Sequence, residues 1–295
     1  MQQNSDEGSE ITMTSNKKKL PISFEFFPTK TEEGAKKLDQ TAIELAKCQP
    51  EFFSVTYGAG GSTRDRTLDT VLSVRGCTDI STAPHLSCVG DSKAQLKALL
   101  EQYKSEGINR IVALRGDLPS GMGRSNGELQ YANELVEFIR AETGDHFHLE
   151  VAAYPETHPQ AQNFEADLIN FKRKVDAGAS SAITQYFFNA DSYFYFVDRA
   201  RSMGIDLPII PGIMPITNYT RLARFSDACG AEIPRWVRKQ LEAYGDDIDS
   251  IKQYGEEVVT RMCERLIEQG VPGLHFYALN QADPSQNICK NLNLI

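Results

Sequence analysis

The sequence predicts a closed, TIM-type (β/α)8 barrel in the α/β class, and three observations predict it. Apolar, β-branched or aromatic segments recur eight times along the 295 residues. Stretches of helical periodicity separate most of them, which supplies crossovers of the length that parallel pairing needs. Several of these helical stretches finish at a glycine just before the next strand (Gly107, Gly178, Gly204 and Gly270), as helix C-termini do. Closing eight such units removes the free sheet edges. An open doubly wound sheet is the alternative arrangement of the same elements.

The elements follow in order. ISFEFFP (22–28) is the first strand, and EEGAKKLDQTAIELAK leads from it to FFSVTYG (52–58). STAPHLSC (81–88) is the third strand, DSKAQLKALLEQYKSEG the helix after it, and RIVALRG (110–116) the fourth strand. ELQYANELVEFIRAE then precedes LEVAAYP (149–155), and EADLINFKRKVDAGA precedes AITQYFF (182–188). SYFYFVDRARSMG leads to LPIIPGI (207–213). The long interval from 214 to 272 contains RLARFSDA, IPRWVRKQLEAY and DSIKQYGEEVVTRMCERLIEQG. These read as extra helices before the last strand, GLHFYAL (273–279). One domain is expected over residues 20–295, after a disordered lead of residues 1–19.

Composition narrows the function. A chain that is 41% hydrophobic and 24% charged can bury a full core. Its net charge of -9 argues against nucleic acid or an anionic membrane as the main partner. No apolar run is long enough to span a bilayer, and the first residues lack the apolar core of a signal peptide. Six cysteines without a CxxC pair favour free thiols in a reducing compartment, so a cytoplasmic location is expected. His146 and His148 are close in sequence but have no third ligand beside them, and no metal is expected. Neither a P-loop nor a GxGxxG fingerprint is present.

In a (β/α)8 barrel the ligand site lies at the C-terminal ends of the strands. Polar residues collect there: Glu25, then Thr56 and Tyr57, His85, and the run Arg115, Gly116 and Asp117. Tyr154, Glu156 and His158 follow the fifth strand, Gln185 the sixth, and Tyr277 and Asn280 the eighth. Arg173 and Lys174 share one side of a helix with Asp167 and Asn170, and with Arg115 and His158 they could hold a diphosphate. Glu25 stands between phenylalanines in sequence. Either it supports the strand through an ion pair, or it is a cleft carboxyl whose lost solvation favours the protonated form.

Nine ordered blocks resemble the methylenetetrahydrofolate reductase family in its short, catalytic-domain form. They are SFEFFP, FFSVTYGAGG, APHLSC, IVALRGDLP, VAAYPETHP, KRKVDAGA, ITQYFF, IIPGIMPI and HFYALN, spread over residues 21–290. The resemblance implies an FAD-dependent oxidoreductase of one-carbon metabolism and methionine biosynthesis. NAD(P)H would reduce 5,10-methylenetetrahydrofolate to 5-methyltetrahydrofolate by a ping-pong hydride transfer through FAD. It implies that Glu25 is the general acid and that Asp117 lies near the flavin pyrimidine and the folate pterin. Thr56, His85, Arg115, Gly116, Asp117, Ala132, Tyr154, His158, Asp167, Asn170, Arg173 and Lys174 match positions that contact FAD. Gln185, Phe225 and Tyr277 match positions that contact folate or nicotinamide. Family members commonly read LNR where this chain has Leu279, Asn280 and Gln281, so a folate glutamate tail would meet an uncharged side chain there. A homo-oligomer is expected, and control by S-adenosylmethionine is not. A flavin-free barrel lyase or aldolase is the alternative reading.

Overall fold

The computed structural model describes residues 19–57, 61–116 and 127–295. The expected lead, apart from Lys19, lies outside these residues, and so does Asp117. The strands are β1 (Ile22–Phe26), β2 (Phe52–Val55), β3 (Thr82–Ser87), β4 (Arg110–Leu114), β5 (His148–Ala153), β6 (Ser181–Thr184), β7 (Ile209–Ile210), β8 (Gly212–Ile213) and β9 (Leu274–Tyr277). Six helices fall between them up to β7: α1 (Glu32–Ala46), α2 (Gly61–Thr78), α3 (Lys93–Ser105), α4 (Ala132–Thr143), α5 (Phe164–Asp176) and α6 (Ala190–Ser202). The long interval before β9 folds as α7 (Tyr219–Cys229), α8 (Arg235–Tyr244) and α9 (Ile248–Glu268), and α10 (Asp283–Asn291) follows β9.

Every strand pairing is parallel, in the order β7-β6-β5-β4-β3-β2-β1-β9-β8. β7 and β8 are two halves of the seventh strand, separated by Pro211, which has no N–H for a ladder. One half pairs with β6 and the other with β9, and Pro211 O accepts from His275 N at 3.0 Å. The barrel therefore closes through a strand that changes partner at a proline. The eight expected strands and the three extra helices are all present.

Two helices were not expected. In α2 the buried Leu68, Val71 and Val74 are interleaved with Thr, Ser, Gly and Arg, which weakens the apolar stripe. α10 carries Pro284 in its first turn, where its missing N–H costs nothing, but the helix is only nine residues long and opens after Ala282 without a side-chain cap to announce it. The four glycines expected to end helices all have positive φ, from 70° at Gly107 to 111° at Gly178.

Alternation along β1 sorts the barrel into two cores. Ile22, Phe24 and Phe26 face the helices and join the main cluster with Leu38, Ala42 and Leu45. Phe24 packs against Phe53 and Phe276 with ring centroids 6.2 and 5.5 Å away. The inward face is largely polar: Ser23, Ser54, His85, Glu150, Ser181 and His275 are buried there around a small apolar cluster of Phe52, Ala83 and Ile183. At the N-terminal end of the strands, Arg110 lies 4.1 Å over the Phe52 ring and donates to Glu150 at 2.7 Å and Glu51 at 2.5 Å. Ser181 also donates to Glu150, at 2.6 Å. A cavity of about 550 Å³ opens below this network, lined by Glu51, Arg110, Arg140 and His148 among others. Its arginines are bonded to protein acceptors, so it reads as the plugged floor of the barrel. Among the described residues no helix is long and apolar enough to cross a membrane.

Candidate active site

The mouth of the barrel is organised around Glu25. The β1 register puts Ser54 of β2 on one side of it and Tyr277 of β9 on the other. Its Oε2 lies 3.1 Å from His85 Nε2 on β3 and 3.6 Å from His275 Nε2 on β9. Among the described residues neither ring nitrogen has a hydrogen-bond partner of good geometry, and Ser54 Oγ has none either. Two buried ring nitrogens thus face one carboxylate, with Ser54 beside it in register on β2.

This corrects the expectation for Glu25. The neighbouring phenylalanines in sequence, Phe24 and Phe26, lie on the opposite face, and Phe27 on its own face is 45% exposed. Burial alone would push the carboxyl up, but His85 first and then His275 outweigh burial and hold it at about 2. The resting side chain is a carboxylate. No sequence-local signal announces its partners, which come from strands 60 and 250 residues away by their numbers. His275 and Ser23 were passed over in the sequence although both stand in blocks that were singled out.

The cationic side of the mouth gathers on β4, β5 and α5. Tyr154 and His158 meet edge to face with centroids 4.5 Å apart, and His158 N donates to Asp167 Oδ2 at 2.7 Å. Asn170 Oδ1 accepts from Arg173 Nη1 at 3.0 Å. Arg115 Nε donates to Gly116 O at 3.2 Å, and Lys174 Nζ donates to Ala152 O in β5. Burial holds the Lys174 ammonium at about 8, against a smaller opposing pull from Asp167. Gly116 has φ 86°, and a Cβ on it would lie 2.0 Å from Ser87 Oγ, so only glycine fits this turn. Ala132 is the first residue of α4, and Thr56 follows β2, where its N donates to Phe26 O at 2.9 Å.

The remaining expected residues form a third side. Tyr277 donates its hydroxyl to Thr184 O at 2.7 Å and sits edge-on to His275 and Tyr186. Gln185 follows β6, and its neighbour Tyr186 is bonded through its hydroxyl to Ser226 Oγ at 3.1 Å. That bond ties the Gln185 segment to the turn of α7 that carries Phe225, which is 46% exposed. Asn280 clamps the end of β1 with two bonds to the Phe27 backbone, 3.0 and 2.9 Å long. It supports the strand end that carries Glu25.

Comparison with known proteins decides the family. The model of the methylenetetrahydrofolate reductase family matches residues 10–293. The chain belongs to the methylenetetrahydrofolate reductase family. It is 42% identical to the 5,10-methylenetetrahydrofolate reductase of Escherichia coli over 275 residues, covering 93% of this chain and 91% of that one. It is 39% identical to methylenetetrahydrofolate reductase (NADH) 1 of Zea mays, covering 93% of this chain and 48% of that longer one. The fold is shared with an uncharacterized protein from Clostridium thermocellum that binds two copies of 5-methyl-5,6,7,8-tetrahydrofolic acid. That likeness has a TM-score of 0.65 at 16% identity and covers 94% of this chain and 95% of the other. Membership makes the chain an oxidoreductase of folate one-carbon metabolism.

Proposed function

We propose that this barrel uses NAD(P)H to convert 5,10-methylenetetrahydrofolate to 5-methyltetrahydrofolate, in a ping-pong sequence with FAD as its cofactor, and that residues 20–295 act as one catalytic domain. The donor chemistry suits a diphosphate. Among the described residues the hydrogen bonds of Arg115, Arg173 and Lys174 go to neutral oxygens, and only Lys174 has a carboxylate, Asp167, acting on its charge, so the side carries net positive charge for an anionic group. Thr56, His85, Gly116, Ala132, Tyr154, His158, Asp167 and Asn170 complete that side. Gln185, Phe225 and Tyr277 are assigned to the folate or nicotinamide. When bound, FAD supplies hydride chemistry, accepting from the nicotinamide and donating to the folate.

The chain's own task in the folate step is the proton. Opening the folate's five-membered ring requires a proton on the departing nitrogen. Glu25, His85 and His275 form one cluster, with the two ring Nε2 atoms 3.1 and 3.6 Å from the carboxylate. Within it the Glu25 side chain is 16% exposed, against 7% for His85 and 0% for His275. That observation carries the proposal: Glu25 is the member that reaches the cleft, and, a carboxylate at rest, it passes to the departing nitrogen a proton that it first takes up from the His85 side of the cluster or from the cleft. Asp117 is assigned to the pterin and the flavin pyrimidine, where its charge would disfavour an anionic reduced ring and so favour hydride donation.

Purified protein tests this directly. It should be yellow, bleach with NADH in the absence of oxygen, and recover its colour on addition of methylenetetrahydrofolate. NADH comes first because the maize relative's name specifies it. A colourless protein that gains no colour and no activity with added FAD would reject the reading in favour of a flavin-free barrel enzyme.

A further inference from the structure

We propose that Ser23 and His275 form a tautomer-locked support for Glu25, with His275 as a positioning residue that keeps the carboxylate set at the barrel mouth. The role of that carboxylate rests on the functional reading above; its support is read from geometry alone. β1 and β9 place Ser23 beside His275 and Glu25 beside Tyr277. Ser23 Oγ lies 2.7 Å from His275 Nδ1, and the hydroxyl has no other bond among the described residues. A buried hydroxyl proton needs an acceptor, so it points at Nδ1. The proton of the neutral ring is then on Nε2, the atom that faces Glu25 at 3.6 Å.

The ring is not free to turn away. It is 0% exposed, stacks on Phe52 at 5.9 Å and 21°, and meets Tyr277 edge-on at 5.6 Å and 89°. Among the described residues the other groups facing Glu25 are His85 from β3, Tyr277 from β9 and the neutral Ser54 from β2. The Tyr277 hydroxyl is pushed well above its usual range, by burial first and then by the negative charge of Glu25. A serine two residues before the carboxylate on the same strand face thus reaches it through a ring on the neighbouring strand.

The test is a carboxyl titration on the full chain, followed by NMR of glutamate labelled with carbon-13 at the side-chain carboxyl. The Glu25 signal is assigned by its absence in Glu25→Gln. In the unaltered protein it should remain that of a carboxylate down to about pH 4, well above the value near 2. Ser23→Ala and His275→Leu should raise its midpoint by about one pH unit or more. His275→Gln, whose amide can replace the Nε2–H, should restore a low midpoint. A midpoint unmoved in both Ser23→Ala and His275→Leu would overturn the proposal, even if both variants melt earlier. Should His275→Leu not fold, Ser23→Ala decides, because it keeps the ring and removes only its anchor. A shifted midpoint in a protein that does not reduce methylenetetrahydrofolate would reject the functional reading and leave this support standing.

Discussion

Gly212→Ala perturbs the seam at which the barrel closes. A Cβ on Gly212 would stand 2.2 Å from Thr184 O, 2.7 Å from Tyr277 Cε2 and 2.8 Å from the Tyr277 hydroxyl. The same atoms hold the seam together: Tyr277 donates to Thr184 O at 2.7 Å, and Gly212 N donates to Thr184 Oγ1 at 2.9 Å. The methyl must push β6 and β8 apart, because a backbone carbonyl has no rotamer to escape into. Forced overpacking costs about 1–3 kcal/mol. Breaking a hydrogen bond and leaving its buried partner unsatisfied costs about 1–3 kcal/mol more. The expected destabilisation is therefore on the order of 3 kcal/mol, read from equilibrium urea unfolding at constant slope. Adding Tyr277→Phe should recover little, since Thr184 O and the ring edge remain in the way. Gly76→Ala is the matched control: nothing lies within 4 Å of its Cβ in α2, and the change should be neutral or stabilising by up to about 1 kcal/mol. A Gly212→Ala protein within about 1 kcal/mol of the unaltered one would refute the close approach on which the closure is built.

Three further outcomes are expected. Arg173→Ala with Lys174→Ala should give folded, flavin-poor protein, each lost charged bond weakening FAD binding by about 2 kcal/mol; full occupancy measured by absorbance after dialysis contradicts the assignment. Lys174→Met should be more stable than the unaltered protein at pH 7. The lowered ammonium value, about 8 in place of 10.5, makes the charged form a cost below pH 8 that fades as pH rises toward 10.5, so urea midpoints for the pair should converge across that window. Glu25 titrates at about 2 in place of 4.5, so its contribution to stability is present above pH 4.5 and is lost as pH falls toward 2; Glu25→Gln should flatten that part of the acid limb.

The barrel was legible because its signals are local. Period-two apolar runs, helical stripes and terminal glycines each lie within one short segment, and their eightfold recurrence implies closure. Pro211 was visible, but the exchange of partners at it was not, because pairing on both sides of a two-residue half-strand is a property of the closed sheet. α2 was missed because its inward residues are diluted by Thr and Ser, and its burial comes from the barrel more than from its own pattern. At the site, the positions of Glu25, His85, Tyr154 and Tyr277 followed from where each strand ends. The charge state of Glu25 did not, because it depends on His85 and His275, which only the β1–β9 and β2–β3 pairings bring to it. Strand alternation already sent Phe24 and Phe26 to the other face; what local reading got wrong was the protonated form it expected from lost solvation, because the opposing imidazoles lie on other strands. Phe225 was reachable only through the family resemblance, since it sits on an extra helix and no strand end points to it.

The central claim is that Glu25 delivers the proton of the folate step and takes no part in the nicotinamide step. Anaerobic stopped-flow of the two half-reactions in Glu25→Gln tests it most directly. The substitution keeps the size of the side chain and removes its ability to carry a carboxylic proton. Reduction of the bound flavin by NADH should stay within a few-fold of the unaltered rate. Reoxidation of the reduced enzyme by methylenetetrahydrofolate should slow by roughly 100-fold to 10,000-fold, the usual contribution of a placed general acid. Reoxidation at the unaltered rate, or equal slowing of both half-reactions, would contradict the account.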